Sequence, residues 1–437
     1  MALATNVFTG SGGGTLNGGW SNSLTAFFKT RFPQKKVDNL VAWGNPFYSE
    51  IKKSDELTGI QTVVPLQIGN PQGISATLTS AIQNASSIVG KAWVITPGQL
   101  YGGMRIDSRT LMAARNDEGA FFRIREREYE GILKTFGLAM EQYLWGTGSA
   151  SQGIASATIT TGAAGTVLLA TPADALNFQI GMEVRFYDDD AAGGPDPTDP
   201  RVAGVASSTV TASNLITGVV AFDSVPTDVV VGDHLVRDGD IAAGALVLTI
   251  KGVQAWIPAA DPSATLFFGV DRTAAVQMLS GWREPTYLGS IEETALSLVS
   301  KMDRVSKVPK TLWLSYANWN KLNLELGARG VREEDGGEGV FGRSSLKMST
   351  PAGMVRVRAG AYVPETAGFL LDMSSWELRS LGKVPHIVED DGLTARVVGV
   401  ASNSGVSMAE DGIEIRLRAF PQLICLNPFA NGRFPIS

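Results

Sequence analysis

The sequence predicts an α+β fold interrupted once by an inserted all-β module, and three observations carry that prediction. Residues 152–250 contain no lysine and no tryptophan, and three Arg stand against twelve Asp or Glu, a net charge of −9. The whole chain is −6, which leaves about +3 for everything outside that stretch. Outside it, helical and strand-like runs do not alternate as regular βαβ units, which favours α+β over a doubly wound sheet. At 437 residues the chain exceeds one ordinary core, so two to four folded units are expected.

Composition narrows the function before any motif does. With 44% hydrophobic and 18% charged residues the chain is globular and slightly charge-poor. No run of eighteen apolar residues is present, so no membrane helix is expected. The opening MALATNVFTGSGGG lacks a basic region followed by an apolar one, so no secretory signal is expected. The single cysteine, Cys425 in LICL, has no intrachain partner and reads as a small buried hydrophobe. Forty-nine glycines imply many turns, and two histidines leave few general bases or metal ligands. Catalysis and a bound cofactor are both disfavoured.

Residues 1–58 read as an extended arm. TGSGGGTLNGG is flexible, and FKTRFPQKK gathers Lys29, Arg31, Lys35 and Lys36. Such a cluster is ordinarily a solvated face, and otherwise a contact for a polyanion or an acidic partner. Residues 59–113 carry Thr-, Ile- and Val-rich runs that read as strands: IQTVVPLQI, ISATLTSAI after the NPQG turn, IVGKAWVITPG and YGGMRIDS. A hairpin there would be marginal on its own, so something outside the protomer must cover it.

Residues 117–146 form the clearest helix, capped by Asn116 or Asp117, with Ile132, Phe136, Met140, Tyr143 and Leu144 along one stripe. Glu130 precedes Lys134 at the favourable four-residue spacing. At ~1.5 Å per residue that helix would be about 45 Å long, ending at the glycines of GTGSASQG. In 152–250, TVLLA, MEVRFYD, STVTAS, LITGVVAF, DHLVR and ALVLTI are separated by Gly, Asp and Pro turns every eight to twelve residues, the pattern of a small barrel or sandwich. Beyond it, SIEETALSLVSKMDRVS is an amphipathic helix, TLWLS a strand, and Ser315 the cap of a third helix holding Trp319 and Leu322. A charged, glycine-studded loop covers 328–345, and the tail returns to strands in MVRVRAGAYV, GFLLDMS, ARVVGVAS and IEIRLRAFPQLICL.

Chemistry-bearing motifs are scarce. Gly90-Lys91 lacks the remainder of a phosphate loop, and no GxSxG elbow exists. His386 lies near Asp390 and Asp391, an arrangement more often structural than catalytic. Asp188, Asp189 and Asp190, with Asp196 and Asp199 in GPDPTDP, offer hard oxygen ligands for calcium without a regular loop spacing, and the prolines suit a solvated turn. The nine tryptophans, all outside 152–250, read as packing anchors, some of them at subunit contacts.

The order of these elements resembles the major capsid proteins of tailed double-stranded DNA bacteriophages, the HK97-like fold. The resemblance rests on REREYEGILKTFGLAMEQYLWGTG after the hairpin, on GVQAWIP with FFGVDRTAAVQMLSGWRE and TLWLSYANWNKL, and on GFLLDMSSWELRSLGKVPHIVEDDG with IRLRAFPQLICLNPFANGRF. It implies an N-terminal arm (1–58), an extended loop and its flanks (59–113), and a spine helix of the peripheral domain (114–151). After the inserted acidic β-rich domain (152–250) it implies a peripheral continuation (251–283), an axial domain (284–410) and C-terminal peripheral strands (411–437). It implies hexamers and pentamers tiling an icosahedral head around double-stranded DNA, assembled in the bacterial cytoplasm, with no membrane partner and with decoration, scaffold and portal proteins as further partners. Lys29, Arg31, Lys35 and Lys36 are then candidates for non-specific DNA or inter-subunit contact. Many relatives carry a scaffolding prefix; this chain opens without a long charged helix, so a separate scaffold or none is expected. An encapsulin-type shell shares the fold, but the insertion and the Gly-rich arm argue against it. A tail-tube or other virion component does not suit the long helix, and a hydrolase built on His386 is the enzyme alternative.

Overall fold

The computed structural model describes residues 46–107 and 124–437, apart from 55, 58, 191–193, 243–245, 305–308, 327–346, 352, 383, 385, 388–395 and 402–406. The expected caps Asn116 and Asp117, the loop at 328–345 and the basic cluster of the arm lie outside the described residues.

The long helix runs Ile124–Trp145, about 33 Å at ~1.5 Å per residue. Its stripe goes where the periodicity sends it, with Phe136, Met140, Tyr143 and Leu144 buried. These side chains join a core that holds Trp93, Trp145, Trp256, Trp313 and Trp376, all fully buried. Five of the nine tryptophans are therefore anchors within one protomer rather than surface contacts.

A hairpin pairs Thr62–Gly69 antiparallel with Val89–Ile95, Thr62 opposite Ile95 and Gly69 opposite Val89. Between them, the run expected as a strand forms a helix, Leu78–Gln83. Among the described residues no strand lies alongside to pair with it, and the backbone satisfies itself locally: Ala81 N donates to Thr77 O and Asn84 N to Ser80 O, both at 3.0 Å.

The helix stops at Gly146, and Gly148 and Ala150 take positive φ values of 76° and 69° as the chain turns outward. Residues 151–237 then close into a six-stranded antiparallel barrel. Around it run Ser208–Asn214, Val219–Phe222, Thr166–Leu169, Ser151–Thr160, His234–Arg237 and Glu183–Asp189, and Ser208 pairs back on Val184. Its interior is its own: Val167, Leu169, Val184, Phe186, Val210, Val220, Phe222 and Leu235 form a separate buried cluster. One expectation fails here. Pro195–Arg201 is not a solvated turn but a strand on the edge of Glu183–Asp189. Proline lacks only a donor, and an edge strand's outward donors have nothing to pair with.

The chain returns at Lys251–Gly252, against the point where it left. A Cβ on Gly252 would lie 2.4 Å from the carbonyl oxygens of Tyr143 and Leu144, so only glycine fits. Gln254 Nε2 then donates to Trp145 O at 3.0 Å, satisfying a terminal carbonyl of the helix.

The rest of the body is a six-stranded mixed sheet in the order Trp282–Arg283, Gly432–Pro435, Ala367–Leu371, Thr311–Ser315, Gly353–Gly360 and Lys347–Thr350. Helix Ile291–Asp303 begins at Ser290, whose Oγ accepts from Glu293 N at 3.1 Å. Helix Tyr316–Leu326 begins at Ser315, which accepts from Asn318 N. Both helices pack on Leu312, Leu314, Val355 and Val357. The C-terminal strands enter three different sheets. Ser407–Ala419 pairs with Leu100–Asp107, Pro421–Cys425 with Trp376–Ser380, and Gly432–Pro435 enters the six-stranded sheet.

Candidate assembly surfaces

Residues 57–90 contain no charged side chain. The base of the hairpin is bound to the body: Val94 N donates to Phe268 O at 2.9 Å, and Trp93 stands edge-on to Trp256 and Phe267. Its far half is bare. Ile74 is 96% exposed, Leu78 76% and Ile82 66%, with Ile60, Val63 and Ile88 also open to solvent. Leu78 and Ile82, four residues apart, share one face of the tip helix. That tip is already ordered: Ser86 N donates to Gln72 O at 2.8 Å, Gln72 N donates to Ser86 Oγ at 2.9 Å, and Gly73 lets the chain close on Ala85. It is a prebuilt apolar knob on an arm whose Thr62–Gly69 edge has no strand partner among the described residues.

The barrel presents the opposite chemistry. Three of its carboxylates, Asp188, Asp199 and Asp233, gather on the Arg201 guanidinium rather than around a space for a metal ion. Asp188 meets Arg201 at 2.6 Å, and Arg201 also forks onto the fully buried Asp233 at 3.0 and 3.1 Å. Asp189 faces His234 Nε2 at 3.2 Å, and Asp190 accepts from Gly194 N at 2.8 Å. Among the described residues no group of three or more His, Cys, Asp or Glu is placed to hold a metal ion. Alternation along a strand sends Asp188 and Asp189 to opposite faces, which is why adjacency in sequence does not become a chelate.

Ser151 Oγ lies 2.8 Å from His234 Nδ1, so Ser151, His234 and Asp189 form a line that sequence reading missed, since its members sit on three different strands. A hydrolytic triad needs the other ring nitrogen toward serine and an accessible imidazole. His234 is 2% exposed. The line is a strut between strands. The side chain of His386 and residues Asp390 and Asp391 lie outside the described residues, as do Lys29, Arg31, Lys35 and Lys36.

Where the long helix meets the barrel, three carboxyls sit above the ordinary range. Burial pushes Glu141 up to about 7, opposed by the amides of Tyr48 and Phe47 and, more weakly, by the Trp145 indole. Burial likewise raises Asp240 to about 6 against the pull of Arg237 and of the Tyr143 hydroxyl, which donates to it at 2.6 Å. Asp174 also rises to about 6, from burial first, with Glu365 across the cleft adding repulsion to the contrary pull of Thr171. The cleft there, about 320 Å³, is open and lined by Gln142, Asp174, Thr249 and Glu365 among others.

No family model matches the sequence, and no curated protein matches it. Solved structures do. The subunit of the cyanophage A-1(L) capsid asymmetric unit superposes with a TM-score of 0.50 at 10% identity, over 94% of this chain and 97% of that one. A Mycobacterium phage Adephagia chain aligns at 0.42 and 12% identity, over 94% and 98%, and the capsid of a native GTA particle at 0.44 and 9%, over 94% and 96%. At such identities the likeness is one of fold, and the first alone is close enough to argue from: this chain folds as that capsid subunit does.

Proposed function

We propose that this chain, which shares its fold with a phage capsid subunit, is a major capsid protein of the HK97-like kind. It builds hexamers and pentamers into an icosahedral head around double-stranded DNA. One observation carries the reading: an ordered, charge-free hairpin tip whose apolar residues find no cover among the described residues. Exposed apolar surface of this sort marks an interaction site, and identical copies meeting head to tail generate closed rings. A shell needs obligate-type interfaces, on the order of several thousand Å² per subunit. The role is structural, with no catalytic step.

In this reading the elements take the parts named from the sequence: arm, extended loop, spine helix, peripheral and axial regions. The barrel faces outward, because the net charge of −9 on residues 152–250 is repelled by packaged phosphate. Lys29, Lys35 and Lys36 supply sequence-independent DNA contact. Decoration, scaffold and portal proteins are further partners in the bacterial cytoplasm. Imaging the purified or co-expressed chain tests this. Closed polyhedral particles with the barrel outside are expected. Discrete small oligomers would remove the shell assignment, smaller shells filled with protein cargo would favour an encapsulin, and a barrel lining the lumen would reverse its orientation.

A further inference from the structure

The cleft where the barrel meets the body holds negative charge and no positive charge. Asp174 lines it from the barrel and Glu365 from the body, and no Lys or Arg is among its lining residues. Burial first, and Glu365 besides, raise Asp174 against the pull of Thr171, so the two carboxyls are close enough to repel. Glu365 is fixed through its backbone, whose carbonyl accepts from Asn318 Nδ2 at 2.7 Å.

The neutral groups add acceptors rather than donors. Asn177 Nδ2 donates to Gln152 O at 2.7 Å, Gln142 Nε2 to Gln152 Oε1, and Gln254 Nε2 to Trp145 O at 3.0 Å. Each of these lining amides commits an N–H to the protein and keeps its carbonyl oxygen. Thr249, 8% exposed, also lines the cleft, and among the described residues its hydroxyl has no partner. A buried hydroxyl is ordinarily bonded, so something that belongs beside this one is missing from the protomer. Ile154 and Val363 give the same cleft apolar wall.

An acceptor-rich, negatively charged cleft with apolar wall suits a cation that brings its own donors on a hydrocarbon stem. A divalent metal is poorly served, since among the described residues no group of three or more His, Cys, Asp or Glu gathers to replace its water. An ammonium carries three N–H donors and no acceptor. We propose that this cleft binds a primary alkylammonium ion, its N–H groups shared between the carboxyls of Asp174 and Glu365 and the neutral oxygens beside them, so that one cation fastens the barrel to the body. The ammonium comes from a free polyamine or from a lysine of another copy. Residues 152–250 contain no lysine, so a lysine that fills the site comes from outside a barrel.

Calorimetric titration of the full-length protomer with putrescine at low salt tests this. One saturable site is expected, and filling it should slow hydrogen exchange at 171–177 and 361–366. Glu365→Gln, at an exposed position, and Asp174→Asn should each weaken binding about tenfold or more. No saturable binding overturns the proposal, and so does a site indifferent to both substitutions. Calcium chloride saturating the same two carboxyls in place of the amine overturns it too, in favour of a metal. The same titration on assembled particles separates the sources: a site still open there takes a free amine, and one already filled holds a neighbour's lysine. The protomer titration stands whether or not particles form.

Discussion

The barrel at 151–237 and the hairpin at 62–95 are both β structures that leave the same body, and they solve the problem of cover in opposite ways. The barrel closes on itself through Ser208 and Val184, buries Phe186, Val210, Val220 and Phe222, and turns Glu183, Asp189, Asp199 and Asp223 to water. The hairpin stays open, carries no charge from 57 to 90, and leaves Ile74, Leu78 and Ile82 bare. The closed ring of six strands has no edge to offer, and the strand appended to it, Pro195–Arg201, carries prolines at its edge. An open sheet with an apolar tip is complete only against another surface, so the same secondary structure yields an autonomous module in one place and a connector in the other.

That contrast can be broken from either side. Phe186→Ala should cost the barrel about 3–5 kcal/mol, because the ring is fully buried against Phe222. The barrel contains no tryptophan, so tryptophan fluorescence should report a body still folded while exchange in 151–237 rises. Arg201→Ala should cost about 3 kcal/mol by stranding the buried Asp233, read as a lower denaturation midpoint of the barrel. Gly252→Ala should cost about 1–3 kcal/mol by forcing a methyl into the carbonyls that end the long helix, loosening the joint without unfolding either part. Leu78→Ser with Ile82→Ser should change protomer stability by no more than about 0.5 kcal/mol, since neither side chain is buried. The same double variant should abolish particles by electron microscopy. Particles of normal yield would show that the tip is not a connector.

Part of this was legible in the residues. The missing lysine and tryptophan of 152–250 and its regular turns announce a separate β module, because composition and period-two alternation are local properties. Ser315 ahead of Trp319 announces a helix start for the same reason. The tip helix was not legible: Ile, Thr and Ser favour strands only where a strand is available to pair, and among the described residues none lies beside this run. The strand at Pro195–Arg201 was hidden by its prolines, whose tolerance depends on being at an edge. Glu141, in a helix that opens with mixed charges, carries no mark of burial; the packing of Phe47 against Trp145 decides it.

By itself, then, the order of residues determined which stretches become helices and strands with a buried stripe, that 152–250 is acidic and free of lysine, and that the hairpin carries no charge. Tertiary structure alone decided that the barrel closes, that the last three strands part company into three sheets, and that a carboxylate clasps two distant amides. Periodicity and capping act over a few residues and are written locally. Pairing partners and burial depend on what another part of the chain brings alongside, and no local pattern encodes that.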